Sequence, residues 1–353
     1  MLATRVNEVG MTRGRDDDLQ YKFINPMIEQ TQSPTRDQGR QPVVASVSPV
    51  SYRFSGHQTF PLRIAWLPKA VTEVSKGKDP LTNIDEGIIS LGLGKNMVES
   101  LRCWIEAFQI ASKVEGRWEL TPIGELIFSP SSGFDPYLED HSTSWLLHWL
   151  ISTNTKAPFF AWECLFNRWP APEFSATTVL EEFRQESDRA QKTPSDVTLR
   201  QHWEVFVHSY RPRRGVKAED HLDCALSVLG LIREAGERRN SAGKLETVYS
   251  FDMGARTAIP QQLFTFFIHD WWNRFFPDEQ TIPISEIVAG AHCPGRILKM
   301  QENEILRRVA DIARRQSRVF QVTESASLRQ LRRLRKSNGR TDLRSAYKSP
   351  RFL

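Results

Sequence analysis

The chain has 353 residues, 40% hydrophobic, with a net charge of +5, enough to bury a sizeable core spread over two or three domains. No apolar run approaches the roughly 20 residues that cross a bilayer, and the N-terminus has no secretory signal pattern, so a cytoplasmic protein without a membrane partner is expected. The four cysteines are far apart in sequence and suggest neither a disulfide framework nor a zinc site.

Residues 1–51 are polar, with no apolar period and balanced charge, and are expected to lie outside the fold as a disordered extension. A first domain is expected over 52–131. Within it, Thr82 or Asn83 can cap a helix carrying Ile84, Ile88, Ile89 and Leu91. Gly92 and Gly94 bracket Leu93 and permit a tight turn. A second helix runs from Lys95 to Phe108, with Met97, Leu101, Trp104 and Phe108 as its apolar stripe. Lys95, Asn96, Glu99, Arg102 and Glu106 fall on the opposite face. A hairpin centred on Glu115 and Gly116 follows, with Lys113 and Arg117 able to reach a phosphate backbone. Thr121 and Pro122 then open a short helix. Helix, turn, helix and hairpin predict a winged helix-turn-helix. Recognition helices read bases from their N-terminal half, which here holds Lys95 and Asn96. The alternative is a winged helix that contacts protein.

A helical domain is expected over 132–210, including the apolar Thr143–Ile151 and amphipathic stretches Phe174–Asp188 and Ser195–Tyr210. A basic loop with Arg213 and Arg214 follows. From 219 to 336 the pattern suggests a strand over Leu245–Phe251, a buried helix over Pro260–Phe276, helices over Ser285–Ala291 and Gln301–Arg315, and a strand over Val319–Thr323. Leu328, Leu331 and Leu334 predict an amphipathic helix over Ser327–Lys336. Arg296, Lys299, Arg329, Arg332, Arg333 and Arg335 make this part a second basic, winged-helix-like unit suited to phosphates. Residues 337–353 read as a basic tail. The expected fold is thus mainly α with small β wings: a winged helix-turn-helix, a helical middle and a second winged-helix-like domain.

Two clusters are candidates for chemistry. His57, among Ser55, Gln58 and Thr59 and near Arg53 and Arg63, could be a general base, bind a phosphate, or tie the domain start to its core. Asp135, Glu139 and Asp140, beside His141, could hold Mg²⁺ or another divalent metal, or simply cap a helix. No P-loop is present and no organic cofactor is expected.

The strings FSGHQTFPLRIAWLPKA (54–70), LGLGKNMVESLRCWIEAF (91–108), LTPIGELIF (120–128), DPYLEDHSTSWLLHWLI (135–151), HLDCALSVLGLI (221–232) and PGRILKM (294–300) resemble a bacterial family of unknown function from DNA phosphorothioation defence clusters. The resemblance implies an SspB-like DNA-nicking protein that opens one strand of double-stranded DNA for sulfur insertion. It implies work beside a cysteine desulfurase, an ATPase and an ATP pyrophosphatase-like enzyme. It transfers no catalytic residues. A homodimer is a further expectation. The alternatives are a non-catalytic DNA-binding or recruitment subunit and a regulator of the defence operon.

Overall fold

The computed structural model describes residues 51–190, 194–211, 224–324 and 329–348. The expected extension over 1–51, apart from its last residue Ser51, and the basic loop with Arg213 and Arg214 lie outside the described residues. Within them the chain is mainly helical, with three small antiparallel sheets.

Helix α1 (Trp66–Ser75) buries Trp66, Leu67, Ala70 and Val71 beneath a helical pair. Helix α2 (Ile84–Leu91) starts where the Asn83 side chain accepts from the Glu86 amide, and ends at Gly92 in the left-handed conformation. Helix α3 (Lys95–Ala107) buries Val98, Leu101, Trp104 and Ile105. Ile89, expected on the buried face of α2, is instead 84% exposed. One residue beyond Ile88 turns the side chain by about 100°, away from the core. Strands β1 (Ala111–Val114) and β2 (Arg117–Leu120) pair with a two-residue turn. Its residues Glu115 and Gly116 have φ of 49° and 86°, the left-handed pair that a tight hairpin requires. Helix α4 (Pro122–Phe128) opens with Thr121 accepting from the Gly124 amide at 3.0 Å.

Helix α5 (His141–Ser152) is buried at every residue after His141. A short helical turn at Phe160–Trp162 then widens into a π-helix over Glu163–Arg168. Strand β3 (Glu173–Ser175) takes the start of the stretch read as one helix from Phe174. Helix α6 (Ala176–Arg189) follows it, and α7 (Asp196–Tyr210) is capped by Ser195. β3 joins β4 (Ile232–Arg239) and β5 (Leu245–Phe251) in the order β3-β5-β4.

In the last third, α8 (Gln261–Phe275) is sheathed on most sides. Strand β6 (Thr281–Pro283), α9 (Ile284–Ala289), a short turn at Pro294–Ile297, α10 (Glu302–Arg315), β7 (Phe320–Glu324) and β8 (Arg329–Arg333) follow. The sheet order is β6-β8-β7. The helix expected over Ser327–Lys336 is therefore wrong: Arg329–Arg333 is the central strand. Leu331 is fully buried while Leu334 is 47% exposed. Pairing on both edges satisfies the backbone there, so a period of two overrides the leucine spacing. The expected tail also folds: α11 (Arg340–Lys348) buries Leu343 and Ala346 against α8.

Candidate nucleic-acid interface

The α2–α3–hairpin face collects the basic residues expected to meet DNA. Gly94 precedes α3 and supplies no side-chain cap, and the first turn of α3 holds no acid. Free amides and the positive end of the helix dipole thus point outward beside exposed Lys95 and Asn96. Lys113 and Arg117 are exposed on the hairpin, and Arg102 is partly exposed on α3. Among the described residues none of these four cations is paired with a carboxylate. Glu99 and Glu106, which dilute the charge of α3, do have partners. Gln58 Nε2 donates to Glu99 at 2.9 Å, and Arg53 Nη1 donates to Glu106 at 3.3 Å. Arg53 also donates to Cys103 Sγ at 2.7 Å. A groove of about 360 Å³ opens between α3 and the hairpin, lined by Gln58, Glu99, Arg102, Lys113 and Trp118 among others. Arg63 is half-buried, with its guanidinium over the Trp66 ring.

His57 lies behind this face, 1% exposed. The Ala161 amide donates to His202 Nε2 at 3.0 Å, so neutral His202 carries its proton on Nδ1. That proton is donated to His57 Nε2 at 2.8 Å, and His57 Nδ1 donates to the Gln58 carbonyl at 2.8 Å. The two rings lie edge to edge and nearly coplanar, with centroids 5.1 Å apart and planes 7° from parallel, as an in-plane hydrogen bond requires. Burial pushes the His57 pKa down to about 4, and that of His202 well below its ordinary value. Both ring nitrogens of His57 are occupied inside the protein. The histidine considered as a general base anchors the 53–59 segment to α7.

The carboxylates considered for a metal are also engaged. Asp135 accepts from the Glu139 and Asp140 amides at 2.8 and 2.9 Å and from the Thr143 hydroxyl. Asp140 caps α5 through the Ser142 amide at 2.8 Å. Glu139 is exposed and contributes only its amide. Among the described residues no group of three or more His, Cys, Asp or Glu side chains is placed to hold a metal ion. These residues therefore do not fit a magnesium site.

Of the C-terminal basic residues, two are buried and a third, exposed Arg296, is tied to backbone. Lys299 Nζ is buried and donates to the carbonyls of Leu165 and Phe166, each at 3.3 Å. Arg296 donates to the carbonyl of Asn167. These carbonyls lie in the last turn of the π-helix, where helix carbonyls lack an intrahelical partner. Burial lowers the Lys299 pKa to about 7. Arg333, 5% exposed, donates to Asn273 Oδ1 at 2.7 Å and to the Pro277 and Glu279 carbonyls. Expected as phosphate ligands, Lys299 and Arg333 have no surface to offer and Arg296 is tied to backbone. Arg329 is exposed but bridged to Glu324 at 2.7 Å. Arg332 and Arg335 are exposed.

One buried acid passed unnoticed in the sequence. Glu163 opens the π-helix, and burial raises its pKa to about 7. His292 Nδ1, buried without a hydrogen bond, lies 3.7 Å away. An acid inside the aromatic run 159–169 was the only signal available.

No curated protein matches the chain. Two crystal structures share its fold. One is magnesium-ion-bound SspB, with a TM-score of 0.74, 22% identity, 84% of this chain covered and 89% of that one. The other is SspB, with a TM-score of 0.73, 22% identity, and coverage of 85% and 89%. The model of a family described as a protein of unknown function, DUF4007, matches residues 54–347. The chain, over nearly all of its described length, belongs to the DUF4007 family.

Proposed function

We propose that this protein is a duplex-DNA-binding component of a bacterial DNA phosphorothioation system, engaging DNA through a winged helix-turn-helix at residues 82–122. The observation that carries this reading is the set of unpaired cations, Lys95, Arg102, Lys113 and Arg117, around the uncapped start of α3 and on the hairpin. A helix N-terminus with lysine beside it attracts phosphate, and Asn96 is positioned to meet a base edge. The phosphorothioation setting, with the sulfur-mobilising enzymes as working partners, is what the family resemblance implies, and the fold shared with SspB supports it. In this reading residues 52–131 engage DNA, 132–210 form the helical connector and 219–336 a second winged-helix-like unit. Strand nicking, which the family resemblance implies, would need residues other than His57, Asp135 and Asp140, whose polar atoms are engaged inside the protein.

The test is duplex binding across a salt series. Lys95→Ala with Arg102→Ala should weaken binding and reduce the slope of log K against log salt by roughly 0.9 for each phosphate no longer neutralised. An unchanged slope would remove α3 from the DNA face. A plasmid-relaxation assay with and without Mg²⁺ tests nicking separately, and any activity should survive His57→Gln in folded protein.

A further inference from the structure

Resting on the DNA-binding reading above, we infer that the open end of the β6-β8-β7 sheet is a second duplex-DNA contact, so that one copy of the chain holds two DNA segments.

Most cations of this region are already neutralised. Residues 302–336 contain ten described basic side chains. Arg307 and Arg308 both bridge Glu304, Arg314 and Arg315 both bridge Asp311, and Arg329 bridges Glu324. Arg333 is buried against Asn273. Arg318, Arg332, Arg335 and Lys336 remain. All four are exposed, and none is paired with a carboxylate among the described residues.

The strand register gathers these four at one end of the sheet. Arg332 sits on the central strand opposite Thr281 on one side and Gln321 on the other. The Leu334 amide donates to the Val319 carbonyl at 2.7 Å. Arg318 and Arg335 flank that bond, and Lys336 follows. The register partners of Arg332 are uncharged hydrogen-bonding side chains. Asp278 and Glu279 precede β6 at this same end, but neither is ion-paired to the four cations among the described residues. The four like charges repel one another, and a polyanion relieves that repulsion.

Duplex DNA fits this surface better than an acidic protein does. Protein interfaces are anchored by aromatic side chains, and the only large apolar side chain well exposed in this region, among the described residues, is Leu334. Apart from the added turn at Pro294–Ile297, the element order, helices α9 and α10 followed by the β7–β8 pair, follows that of α2, α3 and the β1–β2 pair. The same helix-helix-hairpin plan, carrying unpaired cations, thus occurs twice in one chain. The two sets lie beside different sheets, β1–β2 and β6-β8-β7, so a duplex of about one turn can be offered to each in turn.

The test is a capture experiment with the full chain. A short duplex of about one helical turn is fixed on beads, the protein is added, and a second labelled short duplex is offered. The wild-type protein should retain the second duplex. Arg318→Gln/Arg332→Gln/Arg335→Gln should lose that capture at least tenfold while binding a single short duplex with unchanged affinity. The corresponding triple lysine variant should restore capture, which separates charge from packing. Equal capture by wild type and the glutamine variant overturns the second contact, as does an absence of capture by wild type that binds one duplex normally. Failure of the wild type to bind any duplex would overturn the DNA-binding reading as well.

Discussion

At His57 burial holds the imidazole neutral, and protonating Nε2 would also set two donors face to face along its hydrogen bond to His202. The unfolded chain has no such constraint and takes up the proton at the ordinary histidine value near 6.5. Stability is therefore complete above pH 6.5 and falls as the pH drops toward the folded value of about 4. This residue alone accounts for a loss on the order of 3 kcal/mol over that window. Urea midpoints measured between pH 7 and 4.5 should show the fall. His57→Gln should be less stable at pH 7 yet show a shallower dependence on pH. Equal slopes would mean that His57 titrates normally in the folded protein. A polar cluster inside an apolar run, as at 55–59, signals in sequence that something is being held, but His202 lies 145 positions away. Only the fold brings the two imidazoles together.

Among the elements, the hairpin depends on a backbone approach that admits no side chain. A Cβ on Gly124 would lie 2.0 Å from the Ile110 carbonyl oxygen. Gly124→Ala should push α4 away from the start of the hairpin and cost about 1–3 kcal/mol or more. Thermal unfolding, together with weaker short-duplex binding, measures it; an unchanged melting temperature would contradict the close approach. Caps, turn glycines and the apolar stripe of α3 were legible in the sequence because each is set by neighbours within a few positions. The strand at Arg329–Arg333 was not. Its leucines are spaced for a helix, and only pairing to β6 and β7 decides otherwise. The roles of Arg296 and Lys299 were hidden for a related reason. In sequence they are basic residues in a basic region, and their targets exist only once residues 163–168 adopt a π-helix. The candidate metal cluster failed on a local ambiguity, since the carboxylate pattern that suits a cation also suits the amides at the start of α5.

For the molecule as a whole, the C-terminal helix joins distant parts of the chain. Leu343, 1% exposed, packs α11 against α8. Leu343→Ala should lower the unfolding free energy by about 2–5 kcal/mol without altering short-duplex affinity under folding conditions. A change in affinity with no change in stability would instead place α11 at the DNA surface. Tyr347 reaches further, its hydroxyl 3.1 Å from that of Thr143, which in turn donates to Asp135. The bond between Tyr347 and Thr143 spans 204 positions. Domains fold in order of synthesis where their contacts are local, but here the start of α5 is tied to a residue 204 positions further on. The start of α5 therefore waits, incompletely fastened, until Tyr347 has been made, and a nascent chain stalled before Tyr347 lacks that tie.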